Sequence, residues 1–478
     1  MLITTRTPAP DRADVNHWRA LAVLLAGTAM IVLDFFIVNV ALPAIQSGLH
    51  ASASALEWVV AGYGLTFSTL LITAGRLGDQ VGRRRMFATG LAMFVVTSAG
   101  CGLAPTAGAL VVFRFLQGGA AAMISPTVLA IIGVVFTGED RVRAITIYGL
   151  VLGVAAAAGQ LVGGILIQAD IFGLGWRTIF LINVPIGAVA LALTPKLVPE
   201  SRATSAHRLD VTGTLLLTAA LTAIVLPLIE GRRLGWPAWT WASLAAGPVL
   251  LTVFAGHQAR VRQAGRAPLL DLQLFRSRAF SAGLVTQLAL WCGQASFFLI
   301  LALYLQDGRG LDPLQAGLVF TITAGAYLAA SIRAPALTMR WGRRLVAGGA
   351  LILAAGHALL VLAVAVDGTG GSIADLAPGL LLVGAGMGFC ITPLTTTVLA
   401  SAGPQSAGAV SGALSTMQQV GNSLGVALTG VIFFGALSGG YAHAFLLGLA
   451  ELAALLVGVA ALTRLLPRPP TAEGDSKP

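Results

Sequence analysis

The chain reads as an all-α membrane protein of about fourteen transmembrane helices, in two six-helix bundles with two further helices inserted between them. Three observations predict this. Of 478 residues, 56% are hydrophobic and only 10% charged, with a mean hydropathy of +0.87; soluble domains carry about 25% charged residues. Apolar runs of the length that spans a bilayer, about 20 residues, recur from end to end. A set of short signatures recurs once, about 260 residues further on. A β-barrel would show alternating segments of about ten residues, and an open sheet leaves unsatisfied edges in lipid. The runs here are longer and apolar throughout. The 58 glycines fit the same reading, because small residues let membrane helices approach closely.

Taken in order, the apolar segments lie at 19–43, 57–77, 86–103, 108–133, 144–168, 178–198, 211–229, 238–257, 280–305, 314–336, 344–366, 376–400, 408–435 and 441–465. The first is too long for a signal-peptide core and has no clear cleavage site, so it is read as a retained helix. The corresponding division is a cytoplasmic N-terminal tail (1–18), an N-terminal six-helix bundle (19–198), a linker carrying two extra helices (199–278), a C-terminal six-helix bundle (279–465) and a cytoplasmic tail (466–478). With the N-terminus inside, 23 of the 29 basic side chains fall in inside loops and tails, four in outside loops, and Arg114 and Arg333 within spans. The positive-inside rule then sets both termini in the cytoplasm and an even number of spans. The net charge of +10 is therefore a topology signal and implies no nucleic-acid partner. Cys101, Cys292 and Cys390 sit in apolar runs and read as packing residues; no disulfide framework or metal-ligand spacing is present.

Val81-Gly82-Arg83-Arg84 after the second span matches Trp341-Gly342-Arg343-Arg344 after the tenth, and Gly118–Pro126 resembles Gly384–Pro393. Spans 1–6 and 9–14 are thus two copies of one unit, and such repeats place a substrate site near the midplane between the halves.

Few polar residues lie in the spans. Asp34 interrupts the first; a carboxylate at the bilayer centre costs about 2.5–3.5 kcal/mol on insertion scales, so it is paired or functional. A carboxyl able to gain and lose a proton suits a proton-coupled carrier and attracts cations. Arg114, in the fourth span, stays protonated when buried and needs an anionic partner, for which Asp34 is the candidate. Glu451 in the last span is a second candidate titratable site, and Arg333 a candidate charge-compensating one. The loop after span 2 carries Gly75, Gly78, Asp79, Gly82, Arg83 and Arg84, glycines for a tight turn and close helix approach among charges that can pair with neighbouring helices. The fifth span holds Gly149, Gly153, Gly159, Gly163 and Gly164, a small-residue stripe for close packing. Asn39, Gln117, Gln160, Asn183, Gln287, Gln294, Gln418, Gln419 and Asn422 are candidates for a largely apolar substrate cavity.

These residues resemble those of the major facilitator superfamily, and in particular its fourteen-helix drug:proton antiporters, over nearly the whole chain. The Gly75–Arg85 loop is similar to the superfamily's hallmark cytoplasmic motif. Leu33-Asp34 with Val38-Asn39-Val40-Ala41-Leu42-Pro43 resembles the first-helix motif, Arg114, Gln117 and Gly118 the fourth-helix motif, and Trp176-Arg177 with Phe180, Asn183 and Pro185 a further signature. The resemblance implies that Asp34 is the protonation and cation-recognition site with Arg114 its partner. It implies that Asp79, Arg83 and Arg84 form an interlock of the outward-open state, and that Gly159, Gly163 and Gly164 belong to the fifth-helix antiporter motif. Two positions depart from the pattern: Gln160 stands where the fifth-helix motif usually has Pro, and Phe36 where the first-helix motif usually has Thr.

The reading is therefore a proton-coupled exporter of lipophilic or cationic drugs and antibiotics in a bacterial inner membrane. It is not an enzyme, acts as a monomer and takes no cofactor; its partners are protons, lipid and a small lipophilic molecule. The alternatives are a dedicated exporter of one metabolite or self-made antibiotic, a symporter, or a non-transporting membrane sensor. No nucleotide-binding loop, metal cluster or nucleophile–base set supports an enzyme or direct ATP drive.

Overall fold

The computed structural model describes residues 12–202, 209–400 and 407–465. The tail at 466–478, with Arg468 and Lys477, lies outside the described residues, as do Arg6 and Arg208. Fourteen helices follow one another: α1 Arg12–Leu49, α2 Ala53–Val81, α3 Arg83–Gly102, α4 Ala107–Val135, α5 Gly138–Ala169, α6 Gly175–Leu197, α7 Val211–Leu234, α8 Ala238–Gln263, α9 Arg278–Leu303, α10 Pro313–Trp341, α11 Arg343–Asp367, α12 Ala377–Ala400, α13 Ala407–Ala436 and α14 Tyr441–Leu462. No strand occurs among the described residues. Thirteen helices are long and apolar enough to span a membrane as they stand. The fourteenth, α5, is bent by 43° between Gly138–Ala156 and Ala158–Ala169. The bend falls in the glycine- and alanine-rich run, without a proline.

Local chemistry sets the helix ends. Ser52 and Thr106 cap α2 and α4 by accepting from Ala55 N and Ala109 N, each at 3.2 Å. A capping box of Asp312 and Gln315, with Pro313 in the first turn, starts α10. Asp210 caps α7: it accepts from Gly213 N at 2.9 Å and Gln258 Nε2 at 2.8 Å and pairs with His257 Nε2 at 2.8 Å. Burial alone would push its carboxyl up; the three hydrogen bonds together outweigh that and hold it below the usual carboxylate range. Gly82 (φ 119°) and Gly342 (φ 49°) turn the chain from α2 to α3 and from α10 to α11 in backbone conformations that side chains disfavour. This is why the two loops share their glycine.

The helix pairings of the C-terminal bundle repeat those of the N-terminal one, shifted by eight helices. α1 packs on α5 and α6 as α9 packs on α13 and α14; α4 lies between α2 and α3 as α12 lies between α10 and α11. The recurring glycine signature marks two of the tight crossings. A methyl group at Gly118 would sit 2.2 Å from the Tyr63 carbonyl oxygen, and one at Gly384 would sit 2.1 Å from that of Thr323. The two bundles meet along two seams, α2–α13 and α5–α10, which exchange under the internal two-fold. α7 breaks that symmetry. It packs on both α2 and α13, with Leu217 and Leu221 against Leu65 and Val420, and α8 lies behind it.

Candidate functional site

Five helices converge on Asp34. The carboxylate is fully buried, as is the guanidinium of Arg114, whose Nη1 donates to Asp34 Oδ2 at 2.5 Å. The same nitrogen donates to Gln117 Oε1 at 2.7 Å, and Arg114 Nε donates to the Val59 carbonyl at 2.8 Å. Asp34 Oδ1 accepts from Gln117 Nε2 and Asn183 Nδ2, both at 3.0 Å. Ser98 ties the two amides together, accepting from Gln117 at 2.8 Å and from Asn183 at 3.3 Å. The guanidinium lies 4.4 Å from the centroid of the Tyr63 ring, a cation–π contact. A buried ion pair is tolerated only when further hydrogen bonds support both partners; the two amides and the Val59 carbonyl supply these, while Arg114 Nη2 has no hydrogen-bond partner among the described residues. Neutralising Asp34 would leave the Arg114 charge uncompensated, so the state of that carboxyl is tied to the packing of α1, α4 and α6.

Tyr63 also lines a cavity of about 490 Å³ between the bundles. Its wall is mainly aromatic and aliphatic, and includes the contacting rings of Phe36, Phe298 and Phe320. Gln160, Gln294, Gln418, Gln419 and Asn422 supply sparse polar groups. The wall continues through Leu71, Leu129, Tyr148 and Thr396 toward the end that carries the Gly75–Arg85 loop. At the opposite end the bundles touch. A methyl on Gly164 would lie 2.5 Å from the Pro313 carbonyl oxygen, and one on Gly317 would lie 2.9 Å from that of Gln160. Across the α2–α13 seam Ser423 Oγ donates to the Ala61 carbonyl at 3.2 Å, and just beyond the end of α9 Gln306 Nε2 donates to the Val40 carbonyl of α1 at 2.8 Å.

The structure distributes the sequence-predicted residues unevenly. Asp34, Arg114, Gln117 and Asn183 form one cluster, with the two amides turned onto the carboxylate and away from the cavity. Asn39 donates to its own helix, to Phe36 O at 3.2 Å, and Gln287 is buried without lining the cavity. Gly153 lines it, while Gly159 and Gly163 pack on α1 and Gly164 on the start of α10. Glu451 is half-buried and Arg333 exposed, both off the cavity wall.

In the basic loop, Asp79 pairs with Arg83 at 2.8 Å. Arg83 N donates to the Ser201 carbonyl at 2.9 Å, and Arg84 N to Glu200 Oε1 at 3.1 Å. Glu200 thus sits at the N-terminus of α3, where the helix dipole favours an anion, with the Arg84 and Arg85 side chains each at 3.8 Å. Arg76 donates to the carbonyls of Ala267 and Pro268. Gly75 lies against Pro126, and Gly78 against Thr127 and Met86.

Sequence reasoning missed several groups, Ser98 and Glu57 among them. Ser98 carries no signal, being a small polar residue in an apolar helix. Glu57 on α2 is 1% exposed, with Arg232 of α7 at 3.6 Å and no hydrogen-bond donor among the described residues. Its carboxylate presses on Gly430 of α13. Beside it, Trp58 Nε1 donates to Glu230 Oε1 at 2.9 Å, and the Arg232 guanidinium lies 5.2 Å from the Phe434 ring centroid. The signal available was a carboxylate at the head of a span, 173 residues before a Glu-Gly-Arg-Arg run.

The sequence model of the Major Facilitator Superfamily matches residues 24–426. The chain belongs to the major facilitator superfamily. Among its relatives in the superfamily is the probable actinorhodin transporter of Streptomyces coelicolor, 38% identical over 90% of this chain and 76% of that one. Another is the multidrug resistance protein Stp of Mycobacterium tuberculosis, 32% identical over 87% of this chain and 76% of that one. Of solved structures, an auto-inhibited peptide transporter of the POT family superposes with a TM-score of 0.69 at 17% identity, covering 96% of this chain and 99% of that one; this likeness concerns the fold. The protein is accordingly a multi-pass membrane transporter of the major facilitator type.

Proposed function

We propose that the protein exports lipophilic, largely aromatic antibiotics from the cytoplasm of a bacterium in exchange for protons, with Asp34 as the protonation site. The observation that carries this reading is the arrangement around Tyr63. Its ring lies against the Arg114 guanidinium that pairs with Asp34, and the same residue lines the cavity. A proton added to Asp34 turns the carboxylate into an acid and removes half of the ion pair. Arg114 and Tyr63 then shift, and the cavity changes with them. Loss of the proton restores the pair. The small polar share of the cavity wall suits lipophilic cargo. By the positive-inside rule the basic-loop end is cytoplasmic, so the cavity faces the cytoplasm here and the outer face is closed. In this state Asp79 pairs with Arg83, and Arg83 and Arg84 bond to residues 198–201, which fits an interlock between bundles that forms only when the inner face closes.

The driving force is adequate. One proton entering gains about 2.3 kcal/mol per 100 mV and about 1.36 kcal/mol per pH unit. The kinship with a probable actinorhodin transporter supports a narrow range of cargo, and that with a multidrug resistance protein supports a broad one. Everted vesicles with an imposed pH gradient separate them. Collapse of the gradient by several unrelated compounds, abolished in Asp34→Asn, supports a multidrug antiporter. Collapse by a single compound class supports a dedicated exporter. Equal behaviour of Asp34→Asn and wild type removes Asp34 from the coupling role.

A further inference from the structure

The internal repeat supplies a register between the bundles. Gly159 packs against the Leu33 carbonyl and Gly425 against that of Cys292, which sets Asp34 of α1 opposite Gly293 of α9. Gly90 packs on Met123 and Ile124, and Gly349 on Phe389 and Cys390, which sets Ser98 opposite His357. The Gly118–Gly384 pair sets Arg114 opposite Leu380 and Gln117 opposite Val383. The cavity wall keeps the same register: Leu152, Gly153 and Ala156 of α5 are answered by Gln418, Gln419 and Asn422 of α13. The C-terminal bundle therefore holds a counterpart of the Asp34 centre in which carboxylate, arginine and glutamine have become glycine, leucine and valine.

The exchange of Asp for Gly leaves a void. A pocket of about 20 Å³ is lined by Gly293, Val383 and His357, three of the four counterpart positions. That space holds roughly one water or one hydroxyl oxygen. His357 is 2% exposed, and neither ring nitrogen has a hydrogen-bond partner among the described residues. A buried imidazole without partners is costly, so the ring awaits a group that the described residues do not provide. Gln294, Met387 and Ile391 line both this pocket and the main cavity, so cargo lying in the cavity is one side chain away.

We propose that His357 and this void form a binding subsite for a hydroxyl substituent of the transported molecule, here a phenolic hydroxyl on a flat aromatic. The imidazole offers one N–H donor and one ring-nitrogen acceptor, and apart from His357 itself no ionisable side chain lines the void to balance a charged group. The aromatic wall of Phe298 and Phe320 accommodates the ring system, and the void accepts its oxygen. The inference rests on the exporter reading above, and it adds the C-terminal bundle as the part of the protein that selects hydroxylated cargo.

The test is equilibrium binding to the purified full-length protein with two probes: 1,8-dihydroxyanthraquinone, and tetraphenylphosphonium, which has no hydrogen-bonding group. The expected result is that His357→Leu raises Kd for the anthraquinone about ten-fold, the scale of one lost hydrogen bond, and leaves that for tetraphenylphosphonium within two-fold. His357→Gln, which restores a donor and an acceptor, recovers most of the loss. Equal affinities of His357→Leu and wild type for the anthraquinone overturn the proposal, as does an equal loss for both probes in folded protein. If the leucine variant does not fold, the wild type decides: anthraquinone without hydroxyls binding as tightly as the 1,8-dihydroxy compound overturns it, and weaker binding upholds it. Failure of wild type to bind either probe would instead count against the exporter reading.

Discussion

Arg114 is where side-chain chemistry constrains this protein most tightly. Its guanidinium donates to Asp34, Gln117 and the Val59 carbonyl and lies over the Tyr63 ring. A lysine keeps the charge but presents it as a point, without the fork or the planar face. Arg114→Lys is therefore expected to lower proton-coupled export by at least ten-fold while membrane insertion is unchanged; gradient-collapse rates in everted vesicles, normalised to protein, check this. The pairing of Asp34 with Arg114 was legible in the sequence because two opposite charges in apolar helices have few other places to go. The amides were not. Asn39, Gln117, Asn183 and Gln287 were all candidates for the cavity, yet Gln117 and Asn183 face the carboxylate and Asn39 its own backbone. Membrane helices are apolar on every side, so periodicity does not reveal which face a lone amide occupies. Ser98 and His357 were unreadable for the same reason: what defines them is a neighbour on another helix.

At the scale of helices, length and position were legible, and ends and bends were not. The positive-inside count placed Arg232 and Arg233 in an outer loop; the structure carries α7 on through Leu234, so both sit in its last turn. That extra turn creates the contact with Glu57. Removing one partner of a buried pair is worse than removing its charge. Arg232→Leu strands the buried Glu57 carboxylate and is expected to destabilise the protein by about 3 kcal/mol, whereas Glu57→Gln has a much smaller effect. Thermal unfolding of the two variants and their double mutant checks the asymmetry; equal losses from the two single changes would show that the pair is not what holds α7 to α2. The bend in α5 also escaped the sequence, because it occurs in a run of small residues without the proline that usually announces one.

For the whole molecule, the repeat was the most informative sequence feature. It recurs in the structure as the same helix pairings and the same close glycine contacts, and it locates the cavity between the bundles. Closure opposite the basic loop depends on backbones in near contact at Gly164 and Pro313. Gly164→Val is expected to wedge this face open and reduce export at least ten-fold. Gly153→Ala, whose added carbon would meet only Leu328 Cδ2 at 3.5 Å, is expected to be tolerated. The same vesicle assay on both variants checks this, and full activity of Gly164→Val would mean that the contact is not needed to seal the outer face.

The position of α7 has a consequence for traffic through the membrane plane. A transporter with two equivalent seams would offer a lipid-dissolved molecule two side doors. Here the insert lies along the α2–α13 seam and leaves α5–α10 without such a cover. The protein has a back and a front toward the bilayer. A hydrophobic compound that partitions into the inner leaflet meets a wall of leucines on one side, and on the other a bent, glycine-lined helix beside the cavity.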